Sequence, residues 1–230
     1  MSRLIHISAL STLCLLFALA GATDYGPQAD PGVFIIAQWQ YSGGGDWYAS
    51  PTAVPNLLKR VAADTPVLAA TPKHAPTVLA DSPDLFRYAM LFATGHGEMK
   101  LTPAEVNGLR TYLLGGGFLH VDDNYGLDES FRREMARVLP EATMLELPIG
   151  HPIYTCFYQL PQGLPKIHEH HGGPPHGYGY FVGGRMVCYY SYNTDLGNGW
   201  EDEEVYHDAP AKREEALQMG VNIVMYALSH

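Results

Sequence analysis

Three short apolar runs limit what this chain can become. Val33-Phe34-Ile35-Ile36-Ala37, residues 89–94 and Phe118-Leu119-His120-Val121 are apolar at nearly every position. A strand with one wet face alternates apolar and polar residues, so unbroken runs mark strands covered on both faces. Helical segments separate them, over residues 53–63, 102–114 and 130–139. Pro55 fits its helix only in the first turn, where no backbone N–H is needed. Thr102-Pro103-Ala104-Glu105 has the form of a capping box. Residues 67–70, 77–79 and 143–147 are further strand candidates. Gly183-Gly184 between residues 180–182 and 186–192 reads as a hairpin turn. A last helix is expected over 212–228. Strands alternating with helices imply a three-layer α/β sandwich with a mostly parallel central sheet, here with a C-terminal antiparallel hairpin.

Met1 to Ala22 reads as an export signal: Arg3, then an apolar stretch, then Ala18-Leu19-Ala20 and Ala20-Gly21-Ala22 as small-residue cleavage sites. An uncleaved anchor is the alternative, although residues 4–20 are short for a spanning helix. The expected layout is a signal at 1–22, a lead-in at 23–32 and one α/β domain at 33–230, with a His-rich loop at 166–177. After cleavage no stable membrane span is expected, and the protein is periplasmic or extracellular. Loss of Arg3 leaves 13 basic against 24 acidic residues, a net charge of −11. Such a chain is a poor partner for nucleic acid or anionic lipid. Cys156 and Cys188 remain, and pairing and burial as two thiols are both open.

In parallel sheets ligands collect at the carboxyl ends of strands. Three strand ends here carry unusual residues. The first holds Tyr41, Gly43, Gly44, Gly45, Asp46 and Trp47. Its glycines could cradle an anion through their amides or simply make a tight turn. The second is Thr94-Gly95-His96-Gly97-Glu98, where His96 is a candidate acid, base or metal ligand. The third is Asp122-Asp123-Asn124-Tyr125-Gly126. Adjacent residues of an extended strand face opposite ways, so both carboxylates can meet one ligand only if the strand has already ended. One is then a ligand or general base and the other an Asx-turn or N-cap residue. His120, inside the strand, reads as a hydrogen-bonded core histidine. His151, held before Pro152, is a further candidate.

His168, His170, His171 and His176 form a tract able to take up zinc, nickel or copper weakly, but its Gly and Pro neighbours favour a compositional loop. Asp195, Trp200 and Glu201 lie in a turn that could return to the rim. There is no serine nucleophile elbow, and neither Cys156 nor Cys188 sits on a strand-to-helix turn.

The ordered motifs resemble the bacterial domain-of-unknown-function family 4159 over residues 33–228. They are Tyr41 with Gly45-Asp46-Trp47, Thr94-Gly95-His96-Gly97, Gly115-Gly116-Gly117-Phe118 with Asp122-Asp123, and His151-Pro152-Ile153. Gly183-Gly184-Arg185, Asp195-Leu196-Gly197 with Trp200-Glu201, and Gly220-Val221-Asn222-Ile223 complete the set. The resemblance implies a flavodoxin-like or class I glutamine amidotransferase-like fold, similar also to trehalose-utilisation domains. Asp122 and Asp123 stand where the amidotransferase nucleophile would follow its strand, which argues against amide transfer. Two functions are expected. In the first, His96, Asp122, Asp123 and His151 contact a small polar ligand or glycan. A divalent metal on His96, Asp122 and His151 and metal-assisted hydrolysis are variants of it. The second is a non-catalytic cell-envelope assembly domain that uses its many tyrosines to hold a protein partner.

Overall fold

The computed structural model describes residues 32–142, 144–169 and 172–230. The expected export signal and lead-in, Thr143, His170 and His171 lie outside the described residues. In chain order the elements are β1 (Ile36–Trp39), α1 (Ala53–Asp64), β2 (Thr77–Val78), β3 (Met90–Gly95), α2 (Pro103–Leu114), β4 (Phe118–Asp123) and α3 (Asp128–Val138). There follow β5 (Met144–Glu146), β6 (His176–Val182), β7 (Arg185–Tyr192), α4 (Leu196–Trp200), α5 (Glu203–Tyr206) and α6 (Pro210–Ser229). Among the described residues, seven strands form one sheet in the order β2-β1-β3-β4-β7-β6-β5. Strands β2, β1, β3, β4 and β7 are parallel, while β6 and β5 complete the sheet in antiparallel fashion. The protein is therefore a mixed α/β protein with a mostly parallel sheet.

The apolar runs are unbroken because both sides of each strand are packed. Ile36, Met90, Phe92 and Phe118 join a cluster with Leu57 and Leu58 of α1 and Ile223 and Val224 of α6. Ala37, Leu91, Ala93, Leu119 and Val121 join another with Leu109 and Leu113 of α2 and Phe131 and Met135 of α3. Cys188 belongs to the second cluster and Cys156 packs against the first, so the sheet stands between them and both are free thiols. Of the two cysteine readings, the structure has the unpaired one. Among the described residues no helix is long and apolar enough to cross a membrane.

Four boundaries differ from the sequence expectation. Residues 67–70 supply only a single bridge, Ala69 to Phe34. Strand β4 runs on through both aspartates, because Asp122 and Asp123 pair with Thr94 and Gly95 of β3. His176 is the first residue of β6, so the end of the His-rich loop is sheet. The turn expected around 195–202 contains helix α4.

Local signals explain the helix starts. At α2, Thr102 Oγ1 accepts from the Glu105 amide at 3.2 Å and Glu105 returns a carboxylate to the Thr102 amide at 2.7 Å. Pro55 is the third residue of α1, inside the first turn. Gly183 and Gly184 both have positive φ, as a two-residue hairpin turn requires. Thr102→Ala is expected to cost about 1 kcal/mol of unfolding free energy in urea titration. Denatured protein, never exposed to reductant, is expected to show both Cys156 and Cys188 as reactive thiols in mass mapping.

Candidate functional site at the carboxyl rim

The chain passes from β1 to β2 on one side and from β3 to β4 on the other, so the crevice of an open α/β sheet should lie between the ends of β1 and β3. Backbone fills it. The amides of Gly45 and Asp46 donate to the carbonyls of Glu98 and His96, and the Lys100 amide donates to Ser42. A Cβ on Gly43 would lie 2.3 Å from the Lys100 nitrogen, and one on Gly95 would lie 2.5 Å from the Tyr41 hydroxyl. These glycines are small so that two loops can meet. The Gly45 and Asp46 amides are not presented to an anion. Asp46 crowns the seam: its carboxylate accepts from the His96 amide and lies 3.0 Å from His96 Nδ1. A carboxylate can only accept there, so the contact orients the imidazole ring.

Asp122 and Asp123 point to opposite faces because β4 continues through them. Asp122 is inaccessible to solvent. Its Oδ1 accepts from Ser191 Oγ at 2.6 Å and its Oδ2 from the Gly197 amide at 2.7 Å, at the start of α4. Burial pushes its carboxyl up to about 6, against the pull of these donors. His120 Nε2 lies 2.9 Å from the same Ser191 Oγ. Serine, histidine and aspartate thus meet, but with serine in the middle and all three at zero exposure, so this is a structural relay and not a nucleophile. Packed against Phe92, Tyr189 and Trp200, His120 is held neutral, its basicity lowered to about 3 by burial. On the other face Asp123 Oδ1 accepts from the Tyr125 and Leu127 amides, the Asx-turn role expected for one of the pair. Its carboxyl is also raised by burial.

The residues just past β4 and β7 are the least settled part of the molecule. Asn124 is 1 % exposed, and neither its side-chain oxygen nor its nitrogen has a hydrogen-bond partner. Asp195, also 1 % exposed, has φ 59°, a left-handed conformation uncommon outside glycine. Its carboxyl is pushed up to about 9, chiefly by burial and then by Asp122 and Asp123, with Lys166 pulling the other way. Ser50, Tyr125 and Asn193 also have positive φ, and each follows the carboxyl end of β1, β4 or β7. Each such residue typically costs on the order of 1 kcal/mol or more, and such strain gathers where function needs it. Beside Asp123 a cleft of about 290 Å³ opens between Tyr125, Gly126, Asp128, Glu129 and Tyr192. A larger groove of about 540 Å³ lies away from these residues at the β2 edge, between Pro72, His74, Arg87 and Tyr88.

The other sequence candidates have structural tasks. His151 caps a short 3₁₀ turn and packs on Tyr226 and Phe181. Phe181 pairs with Met186, five residues before Ser191 on β7, so His151 packs at a point roughly 16 Å along the strand from the partner of Asp122, at about 3.3 Å per strand residue. It does not reach the rim. Trp200 is buried and donates to the Ala216 carbonyl. Glu201 caps α1, accepting from the Thr52 and Ala53 amides, each at 2.9 Å. Tyr41 is buried, with its hydroxyl donating to the Thr94 carbonyl, and Trp47 is half-buried. His168 lies beside Tyr206 and His176 beside Glu146, so these two do not combine. Among the described residues no three His, Cys, Asp or Glu side chains gather as metal ligands. Tyr154, Tyr180, Tyr189 and Tyr190 are buried and build the core instead of an outward aromatic patch. Sequence reading missed Ser191, Asp128, Glu129 and Tyr192. For Ser191 and Tyr192 the available signal was their place at the end of a strand beside β4.

Fold and rim together define a mixed α/β protein with three buried aspartates, Asp122, Asp123 and Asp195, at the carboxyl ends of β4 and β7. A family model described as "Domain of unknown function (DUF4159)" matches residues 35–228, and the chain belongs to that family. No curated protein matches the chain.

The raised carboxyls carry a sign. An acid ionising near 4 when unfolded and near 9 when folded binds more protons in the folded state, so stability falls as pH rises between those values. His120 acts oppositely, but only below its unfolded value of 6.5. From about pH 6.5 to 9 the native protein is therefore expected to lose up to about 1.4 kcal/mol per pH unit through Asp195. Urea titrations of Asp195→Asn should show a flatter profile across that window.

Proposed function

We propose that this is an exported α/β binding domain that takes a small polar ligand, such as a glycan unit, at the carboxyl rim of its sheet beside β4 and β7. The observation that carries the reading is Asn124, a buried amide with neither polar atom satisfied, set among buried aspartates. Unsatisfied buried polar groups are costly, and an ordered water or ligand is their usual explanation. Export is supported by the form of residues 1–22, and a three-layer sandwich of the class I glutamine amidotransferase-like type by the strand order and the two apolar clusters. The role proposed is binding. His96, oriented by Asp46, is the group best placed for proton transfer if the bound ligand reacts. A hundredfold excess over Kd of a true ligand adds about 2.7 kcal/mol, so a thermal-shift screen of sugars, polyols and small amines should raise the melting temperature by about 5 °C or more for at least one compound. Asn124→Leu should remove that rise. A screen with no response in the unmodified protein, together with stable capture of one envelope protein by cross-linking, would instead favour the assembly role.

A further inference from the structure

We propose that the groove along the outer edge of β2 takes the carboxyl-terminal end of an extended peptide from another protein. This goes beyond the rim-binding reading and does not depend on it. Strand β2 is the first in the sheet order, so among the described residues no strand pairs with its outer side. Its inward groups are matched to β1: the Gln38 amide donates to the Pro76 carbonyl and the Gln40 amide to the Val78 carbonyl. Successive residues of a strand turn their backbone groups to opposite sides, so Thr77 presents its N–H and C=O outward, and Leu79 its N–H. Both residues are exposed. Donor, acceptor and donor thus follow one another along a line, and a second extended backbone is the group that matches all three.

The groove beside this edge has room for side chains. Its volume is about 540 Å³, and Ile35, Ala75, Pro76, Val78 and Tyr88 supply its apolar lining. Its charge differs from that of the molecule as a whole. The chain carries a net charge of −10, yet His74 and Arg87 line the groove and Lys73 lies next to His74 in the chain. Lys73 and His74 enter no ion pair among the described residues. Arg87 meets Asp84 at 3.3 Å with both side chains well exposed, a contact worth little and open to a second carboxylate. These cations gather at one end. Thr77 pairs with Gln38 and Met90 with Ile36, so His74 and Arg87 both precede the amino ends of their parallel strands. A peptide running antiparallel to β2 brings its last residue to that end, where its carboxylate meets Arg87. A peptide running parallel would bring an amino terminus there and be repelled.

The test is amide NMR of the full chain at neutral pH and low salt, with the peptide acetyl-Ser-Thr-Ile-Thr-Val as free acid and as carboxamide. The free acid is expected to give saturable shifts at Thr77, Leu79, Ser82 and Arg87. The carboxamide should bind about tenfold more weakly, since it lacks the charge. Arg87→Gln, at an exposed position, should bring the two peptides to equal affinity and leave the ligand-free melting temperature unchanged. Thr77→Pro removes an N–H that faces away from β1, so it should weaken both peptides by at least about tenfold while the Gln38 and Gln40 amides stay protected from hydrogen exchange. Equal affinity of acid and carboxamide for the unmodified chain, or no shift at residues 77–88 with either peptide, would overturn the proposal. Shifts at β2 on raising the protein concentration alone would overturn it too, by making a second copy the occupant.

Discussion

A single carboxylate without access to water ties this structure together. Asp122 sits in the middle of the sheet, where β4 lies between β3 and β7, and it joins β7 through Ser191 and helix α4 through Gly197. Burying such a group is costly unless its lone pairs are matched, and here donors arrive at both oxygens. The sheet order, the hydroxyl on β7 and the start of α4 must all be in place for that to hold. Removing the carboxylate would take the acceptor from the Gly197 amide and leave Ser191 with the Val121 carbonyl and His120 alone.

The rim follows from this arrangement. Strand β4 extends as far as Asp123 because β3 still pairs with it, so the two aspartates separate, one to each face. One stabilises the passage into α4, the other the passage into α3. The crevice that doubly wound sheets usually reserve for a ligand is closed by contacts between the loops after β1 and β3. Polar and strained residues are displaced two strands along, to the ends of β4 and β7. There the parallel part of the sheet gives way to the β6–β7 hairpin.

Much of the architecture was legible in the sequence. Unbroken apolar runs identified β1, β3 and β4, Thr102 to Glu105 announced α2, and Gly183-Gly184 marked the hairpin, since each signal acts over a few neighbouring residues. The site was less legible. Asp122 and Asp123 read as strand terminators, because only long-range pairing with β3 keeps them in a strand. The three glycines after β1 allowed either an anion cradle or a close loop contact, and the choice depended on residues 96–100, far along the chain. His151 shares its local pattern with rim residues, yet the topology carries it to the hairpin end of the molecule. Trp200 and Glu201 read as part of a turn that could return to the rim but anchor α6 and α1, through partners that no local pattern announces.

The pairing of β4 with β7 joins residues about seventy positions apart, such as Leu119 and Cys188. Contacts that close so long a loop form late and slowly. Until β7 arrives, β4 is an open edge carrying a histidine and an aspartate that lack their hydroxyl partner. A chain emerging from a ribosome would expose that edge until some seventy further residues had passed. The polar residues that seal the finished sheet would then keep a half-made one from pairing with strands of its neighbours.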